Sequence, residues 1–301
     1  MVTNGSEDGT RPADAGRVPS GSDSGPTGPG PAGDGDMPLL RLENIGKSFG
    51  PVQALSGIDL DVPVGQVTAL AGDNGAGKST LIKCIAGIYQ PTSGRMLWQG
   101  RPVHLHSPRD ATSLGIATVY QDLALADNMD IVANMLLGHE KTRFGLLDEI
   151  NMELTAKQTL KDLRVTTVRS IRQPVGSLSG GQRQAVAVAK AVMQEARLVI
   201  MDEPTAALGV TQTELVLSLI EQLASRGIAV LVVSHNLTDV FRVADRIAVL
   251  YLGKLASVGP ASDYDTSSVV DLMTTGASAR LHNGSGSESA ASGNVSTGSE
   301  G

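Results

Sequence analysis

The sequence predicts an α/β domain in which helices cover both faces of a mainly parallel sheet. Three short apolar runs, at residues 198–201, 228–233 and 247–252, alternate with helical patterns in the second half of the chain. Such runs are typical of strands that are buried on both faces of a parallel sheet. Earlier, a glycine-rich segment at residues 72–79 separates an apolar run from a helical pattern, which predicts a strand, a loop and a helix in succession.

The first half of the core combines antiparallel strands with the start of the parallel sheet. In residues 58–64, apolar residues alternate with Asp59 and Asp61, which predicts a strand with one buried face. Ser107 followed by Pro108 predicts the N-cap and the first position of a short helix. The predicted elements are strands at 39–48, 58–64, 67–71 and 116–120 and helices at 78–86 and about 108–114.

Strand patterns disappear after residue 122, and helical spacing prevails to about residue 180. We interpret this region as a helical subdomain inserted into the α/β core. The spacing is set by Leu147, Ile150 and Leu154, and then by Ala156, Leu160 and Leu163. After the insert, the helices predicted between the apolar strands lie at 181–194, 212–225 and 236–244.

Composition divides the 301-residue chain into a core and two tails. The first 36 residues contain nine Gly, five Pro and four Ser, and the last 25 contain seven Ser and five Gly. Segments of this composition bury too little apolar surface to fold. We therefore expect disordered tails at 1–36 and 277–301 and one large α/β domain at 37–276, with the helical subdomain at about 122–180.

Charge and hydropathy exclude several classes of protein. The net charge is −7, of which −4 falls in residues 1–36 and −1 in the last 25, so the core carries −2. We therefore expect no generic nucleic-acid-binding surface. The longest apolar runs have six residues, against about twenty for a helix that crosses a bilayer. Neither a membrane span nor a secretory signal is predicted.

Cysteine and histidine offer little for a metal or disulfide site. The single cysteine, Cys84, lies among apolar residues, so we expect it to be a small buried hydrophobe, and disulfides are excluded. His104 and His106 would lie on one face of a strand and suggest a metal site. Because no third ligand is in view, a solvated strand face is the favoured interpretation.

Two glycine-containing segments are suited to phosphate. Residues 72–79 follow the pattern G-x-x-x-x-G-K-[ST], in which backbone N–H groups surround phosphate oxygens, Lys78 supplies positive charge and Ser79 a magnesium ligand. Residues 178–182 read Leu-Ser-Gly-Gly-Gln and begin a predicted helix, whose N–H groups and dipole form a second anion site. We call these the phosphate loop and the LSGGQ segment.

Polar residues end two of the apolar strands. The strand at 198–201 leads into Asp202 and Glu203, and the next leads into Ser234 and His235. An acid beside another acid at the end of an apolar strand is costly unless a cation is present. The acidic pair therefore indicates a site that holds a cation.

In this order and spacing, the four segments resemble the ATP-binding cassette (ABC) family, over residues 38–275. The LSGGQ segment is followed 20 positions later by the strand that ends in Asp-Glu, which makes the match specific. The resemblance implies a P-loop NTPase cassette with ATP and Mg²⁺ as cofactors. It also implies that two cassettes pair head to tail, so that ATP on one phosphate loop is covered by the LSGGQ segment of a second copy.

The resemblance further implies a role for each site residue. The catalytic set comprises Glu203 as general base, His235 and Gln121 near the attacking water, and Lys78 on the phosphates. Magnesium would be held by Ser79, Gln121 and Asp202. The residues that would bind ATP are Phe49, Gly72, Asn74, Gly75, Ala76, Gly77, Lys78, Ser79, Thr80, Ser179, Gly180, Gly181 and Gln182.

Three of these residues also allow a purely structural interpretation. Phe49, which would stack on adenine, could instead be core packing. Gln121 could be an ordinary polar residue at a strand end, and His235 could be a buried core histidine. One departure from the family is that Gly209 stands where an aspartate usually helps to couple the two sites.

Short fragments around the site resemble the ATPases of bacterial importers for simple sugars, of the ribose and fructose type. This implies transmembrane permease subunits, a separate extracytoplasmic substrate-binding protein and a peripheral position on the cytoplasmic face of the membrane. The alternatives are an importer ATPase for another small solute, such as amino acids, and a soluble ABC ATPase that acts on ribosomes or DNA. The absence of a second cassette, zinc cysteines and long coiled coils disfavours the soluble class.

Overall fold

The computed structural model describes residues 37–143, 145–165 and 167–277. The tails predicted at 1–36 and 277–301 therefore lie outside the described residues, apart from Ala277.

The strands in chain order are β1 (Leu40–Phe49), β2 (Val52–Val62), β3 (Val67–Gly72), β4 (Ser93–Trp98), β5 (Arg101–Val103), β6 (Ile116–Val119), β7 (Thr142–Arg143), β8 (Leu146–Leu147), β9 (Leu198–Asp202), β10 (Ala229–Val233), β11 (Arg246–Tyr251) and β12 (Lys254–Pro260). The helices are α1 (Lys78–Ile85), α2 (Pro108–Ser113), α3 (Ile131–Leu136), α4 (Glu149–Asp162), α5 (Gly180–Met193), α6 (Val210–Ser225), α7 (Leu237–Val243) and α8 (Thr266–Thr275).

Two sheets organise the core. The larger has the order β12-β11-β3-β10-β9-β6, in which five strands are parallel and the edge strand β12 runs antiparallel to β11. The smaller sheet, β2-β1-β4-β5, is entirely antiparallel. This topology confirms the predicted fold class. It also brings the carboxyl ends of β3, β10, β9 and β6 to one edge, where the loops that follow them meet.

Apolar cores lie on both faces of the parallel sheet. Along β9, Val199 and Met201 point into a core shared with α5, α6 and the helical region, while Leu198 and Ile200 point into a core shared with α1 and the antiparallel sheet. Every residue of β3 and β10 is buried. Cys84 is buried in the second core, as predicted, and burial raises the pKa of its thiol to about 11.

The helical region differs in detail from the prediction. The helix α4 begins only at Glu149, and it buries Met152, Ala156 and Leu160 against α3 and α5. Leu147 lies instead in β8 of a short hairpin, and Ile150 and Leu154 face solvent, with Ile150 75 % exposed. The first half of the predicted apolar spacing was therefore wrong, while Ala156, Leu160 and Leu163 are buried. The subdomain boundaries at about 122 and 180 stay predictions.

Several elements carried no clear sequence signal. They are β4, β5, the β7–β8 hairpin, β12 and α8. Because β5 ends at Val103, His104 and His106 follow the strand, which corrects their predicted place. His106 Nδ1 lies 3.2 Å from Nε2 of Gln90. The described residues contain no group of three or more His, Cys, Asp or Glu that could hold a metal ion, and none of the helices among them is long and apolar enough to cross a membrane.

Candidate functional site

The phosphate loop connects β3 to α1 and needs glycine for steric reasons. Gly77 has φ of +108°, a conformation that L side chains rarely adopt. A Cβ atom at this position would lie 2.9 Å from the carbonyl oxygen of Ala54 and 3.0 Å from a side-chain carbon of Leu55. Close packing against β2 therefore requires glycine at position 77, just before α1.

Lys78 is the first residue of α1, and its long side chain folds back over the loop. The residue is buried, and its Nζ donates hydrogen bonds to the carbonyl oxygens of Gly72, at 2.7 Å, and Asp73, at 3.1 Å. These two bonds hold the ammonium group at the mouth of the loop. An ammonium group in this position can attract the β and γ phosphates of a nucleotide without a rearrangement of the side chain.

An open depression of about 480 Å³ lies in front of the phosphate loop. Its lining includes Asn74, Gly75, Gly77, Lys78, Ser79 and Thr80 of the predicted ATP-binding set. It also includes Val52 and Leu252, two exposed apolar residues that the sequence analysis did not single out. The turn after Leu252 is tied to the loop, because Gly253 N donates to Ala76 O at 2.8 Å. The only sequence signal for Leu252 was the Leu-Gly pair that ends an apolar strand.

Phe49 is paired with Val52 in the antiparallel sheet, but unlike Val52 it does not line the depression. The ring is exposed and contacts Tyr89 edge to face, with the centroids 5.1 Å apart. Lys47 Nζ lies 5.0 Å from the centre of the Phe49 ring. Because the ring is exposed, core packing does not account for it, and stacking on adenine stays a prediction.

The acidic pair stands at the carboxyl end of β9. Asp202 ends the strand, and Glu203 follows with φ of +49°, held by a hydrogen bond from its N–H to Val233 O at 2.8 Å. His235 Nδ1 lies 2.8 Å from Oε1 of Glu203. The His235 side chain is 64 % exposed, so the alternative of a buried core histidine is wrong. The strained backbone of Glu203 places its carboxylate beside the imidazole.

Electrostatics at this pair favour a bound cation. Burial raises the pKa of the Asp202 carboxyl, and the neighbouring charge of Glu203 raises it further, while Lys78 and Lys83 act in the opposite direction. A divalent cation would relieve the repulsion between the two carboxylates. With a single aspartate, the Ser79 hydroxyl and phosphate oxygens as ligands, the donor set is all oxygen and suits Mg²⁺.

Gln121 follows β6 and lines a second depression, of about 360 Å³. The same depression is lined by Glu203 and by Gly180, the first residue of α5. The structure thus brings Gln121 and Glu203 together at the carboxyl edge of the sheet. The depression also borders the helical region, through Leu123, Leu125 and Asp127.

The LSGGQ segment forms a capped helix start. Ser179 is the N-cap of α5, and its hydroxyl accepts a hydrogen bond from the N–H of Gln182, whose Oε1 accepts one from the N–H of Ser179. At Gly181, a Cβ atom would lie 3.0 Å from Cβ of Gln212 in α6, so the glycine allows close helix packing. Of the described residues, none from 178–182 lines the depression at the phosphate loop.

The segment after Glu203 departs from the family pattern and is strained. Ala207 has φ of +59°, and Gly209 precedes α6 at the N-cap position, where no side chain caps the helix. An aspartate at 209 would be a favourable N-cap. Its absence leaves the start of α6 without a side-chain acceptor.

Sequence comparisons agree with this geometry. The model of the family described as "ABC transporter" matches residues 55–206. The chain is 43% identical to the xylose/arabinose import ATP-binding protein XylG of Sulfolobus acidocaldarius, over 82% of this chain and 98% of that protein. It is 43% identical to the fructose import ATP-binding protein FrcA of Rhizobium meliloti, over 79% and 94%. A ribose import ATP-binding protein of Rubrobacter xylanophilus is 41% identical, over 80% of this chain and 46% of that protein, about half its length.

Solved structures give the same result for the fold. The ADP conformation of MJ1267, an ATP-binding cassette of an ABC transporter, superposes with a TM-score of 0.69 at 27% identity, over 82% of this chain and 99% of that one. A cassette solved as a dimer bound to ADP and Pi, MJ0796, superposes with a TM-score of 0.62 at 24% identity, over 74% and 99%.

Proposed function

Because the chain belongs to the ABC transporter family, whose ATP-binding subunits are ATP hydrolases, we propose that it energises the import of a simple sugar. The observation that carries the sugar assignment is the 43% identity to XylG and FrcA along nearly the whole length of both proteins. Both are import ATP-binding proteins for monosaccharides by name. The second candidate is import of a different small solute, such as amino acids, because the site residues would bind the nucleotide and not the imported molecule.

We propose that the phosphate loop, with Lys78 and the N–H groups of residues 75–80, holds the β and γ phosphates of ATP. Ser79 and Asp202 would hold Mg²⁺, directly or through water, with Gln121 close to it. The cation supplies charge neutralisation at the transferred phosphoryl group when it is bound. The half-buried position of Asp202 and the two carbonyl bonds of Lys78 support this arrangement.

Glu203 is the proposed general base. Its carboxylate would take a proton from the water that attacks the γ phosphorus, and the bond to leaving ADP would break as the new P–O bond forms. His235 would donate its Nδ1–H to Glu203 Oε1 and so keep the other carboxylate oxygen directed at the water. The 2.8 Å contact and the positive φ of Glu203 support this division of roles.

We propose that two copies form one working unit, with ATP between the phosphate loop of one and the LSGGQ segment of the other. Support comes from the depression at the phosphate loop, which residues 178–182 of the same copy do not line. Within this unit, Ser179, Gly180 and Gly181 would bind phosphate through the first turn of α5. Gln182 was predicted to bind ATP as well, but both ends of its amide are engaged inside the chain.

The unit would act at the cytoplasmic face of the membrane, together with permease subunits and an extracytoplasmic substrate-binding protein. Affinity capture of the tagged chain from gently solubilised cells, followed by mass spectrometry, tests this assembly. Recovery of a polytopic permease is the expected result. Recovery of ribosomal or DNA-repair proteins without a membrane subunit would refute the importer proposal and leave only the ATP hydrolase.

The sugar assignment needs its own measurement. Cells that lack the chain should lose uptake of one labelled monosaccharide among ribose, xylose, arabinose and fructose, and regain it with the native chain but not with Glu203→Gln. Retained uptake of all four, with loss of amino-acid uptake, would favour the second candidate.

A further inference from the structure

The segment that leads into α5 is fastened to the helical region. Residues 167–177 lie between α4 and α5, and their only regular structure is a 3-10 turn, Val175–Ser177. Two backbone N–H groups of this linker, those of Val175 and Gly176, donate to the carbonyl oxygens of Met129 and Asp127, at 3.0 and 2.9 Å. The path of the linker sets where Ser179 begins α5, since only Leu178 lies between them.

Arg172 is the centre of the ion pairs in this linker. Its Nε lies 2.6 Å from Glu153 Oε1, its Nη1 3.1 Å from Asp130 Oδ2 and its Nη2 3.1 Å from Glu149 Oε2. Asp130 is the N-cap of α3, and Glu149 is the first residue of α4. A single guanidinium therefore joins the linker to the starts of two helices, in a planar geometry that lysine does not reproduce.

Both ends of the linker are joined to the first turn of α5. Gln182 Nε2 donates to Thr167 O at 2.7 Å, and Arg183 Nη2 donates to Gly176 O at 3.0 Å. Because Gln182 Oε1 also accepts from Ser179 N–H, one amide connects the linker to the residue that caps the helix. The starts of α3, α4 and α5 are thus connected through residues 167–177.

We propose that Arg172 is a positioning residue for the phosphate site at the start of α5, acting through the linker and Gln182 on Ser179. The proposal rests on the proposed function of the LSGGQ segment as the site for ATP bound to a second copy. Loss of Arg172 should leave the phosphate loop intact, because no residue of the linker lines the depression there. Loss of Arg172 should therefore weaken closure of the ATP-bound dimer and leave the binding of ATP to the phosphate loop of the monomer unchanged.

The ion pairs are partly exposed, so their effect on global stability is small. Their main effect is on geometry. Three carboxylates hold the planar guanidinium of Arg172 in one orientation, and the guanidinium in turn holds the linker in place. Screening by salt should weaken the network, since the Debye length falls from about 10 Å at 0.1 M to about 3 Å at 1 M. Dimer closure should accordingly depend more strongly on salt concentration in the chain with Arg172 than in a variant without the guanidinium.

The test uses the full chain with Glu203→Gln, so that bound ATP is not consumed. Two quantities are measured for each variant: the affinity of the monomer for a fluorescent ATP analogue with Mg²⁺, and the ATP concentration that gives half-maximal dimer in sedimentation. Arg172→Gln should raise the ATP concentration for half-maximal dimer by about two- to fivefold and leave the monomer's affinity unchanged. Arg172→Lys, which keeps the charge but not the fork, should lie between.

Arg41→Gln is the matched control. Arg41 forms a two-bond ion pair with Asp61 in the antiparallel sheet, and its side chain is 45 % exposed, against 41 % for Arg172. If Arg172→Gln and Arg41→Gln dimerise alike, Arg172 does not position α5, while the proposed function stands. Equal loss of monomer affinity and dimerisation would show general damage and overturn the inference. Failure of the Glu203→Gln chain itself to dimerise with ATP would refute the proposed function and the inference with it.

Discussion

The phosphate loop and the LSGGQ segment are both proposed phosphate-binding sites, but different forces hold them in place. Buried strands, close backbone contacts and the two carbonyl bonds of Lys78 fix the phosphate loop. A capping box and partly exposed ion pairs around Arg172 fix the LSGGQ segment. The first site is therefore built into the core of the fold, whereas the second depends on surface charges and can shift when those charges change.

The largest effect should come from removing the proposed base. Glu203→Gln should lower kcat about 10²- to 10⁴-fold, because proton removal from water is lost, while MgATP binding persists. Phosphate release at saturating ATP measures kcat. Glu214→Gln, on the exposed side of α6, is the control and should hydrolyse ATP normally. Undiminished turnover in Glu203→Gln would exclude Glu203 as the base.

Two alanine substitutions test how firmly the core holds the phosphate loop. Gly77→Ala places a Cβ atom 2.9 Å from Ala54 O at a positive φ, whereas Gly75→Ala meets nothing within 4 Å, also at a positive φ. We expect Gly75→Ala to cost about 1–2 kcal/mol of unfolding free energy from backbone strain and Gly77→Ala about 3 kcal/mol or more. Urea denaturation without nucleotide measures both. Equal costs would show that the contact with β2 is not what fixes this glycine.

Lowering the pH should change the stabilising contributions of Glu153, beside Arg172, and of Asp202, in the acidic pair, in opposite directions. The hydrogen bond from Arg172 lowers the pKa of Glu153, so its stabilisation is complete above the unfolded pKa, about 4.5, and is lost as pH falls through the lower folded value. Burial raises the pKa of Asp202, so folding takes up a proton there and stability rises as pH falls through the raised folded value.

Unfolding curves between pH 3 and pH 7 for two variants check this contrast. Glu153→Gln should flatten the acid limb, because the group that loses its stabilisation is gone. Asp202→Asn should raise stability at neutral pH without Mg²⁺, because it removes one of two neighbouring charges. Identical pH profiles for both variants and the native chain would show that neither pair contributes measurably.

Sequence patterns predicted the core far better than the helical region. The strands β3, β9, β10 and β11 were predicted nearly to the residue, because continuous apolar runs have one low-energy place in a parallel sheet. At the start of α4, by contrast, apolar residues at helical spacing face solvent, so periodicity gave the wrong face. Neither β12 nor α8 was predicted, since both carry mixed polar and apolar residues at the edge of the sheet.

The candidate site divides in the same way. The residues of the phosphate loop and the acidic pair belong to local motifs, so they could be singled out in the sequence. The contacts of Arg172 could not, because they join positions 19 to 42 residues apart on three different elements. Leu252 follows β11 and lines the depression at the phosphate loop, and its place depends on a strand register that only the folded sheet defines.

The smallest effect should come from restoring an acid at position 209. Gly209→Asp adds a side-chain acceptor at the N-cap of α6, and a Cβ atom there meets nothing within 4 Å. Compared with glycine, the aspartate should increase the free energy of unfolding by about a few tenths of a kcal/mol.

The aspartate should also increase the coupling between the two sites, because Gly209 lies between Glu203 and α6, and the LSGGQ segment packs against α6. The Hill coefficient of ATP hydrolysis measures that coupling, with Gly209→Asn as the control that caps the helix without charge. A gain in stability with an unchanged Hill coefficient in both variants would mean that the missing acid affects only the helix and not the communication between sites.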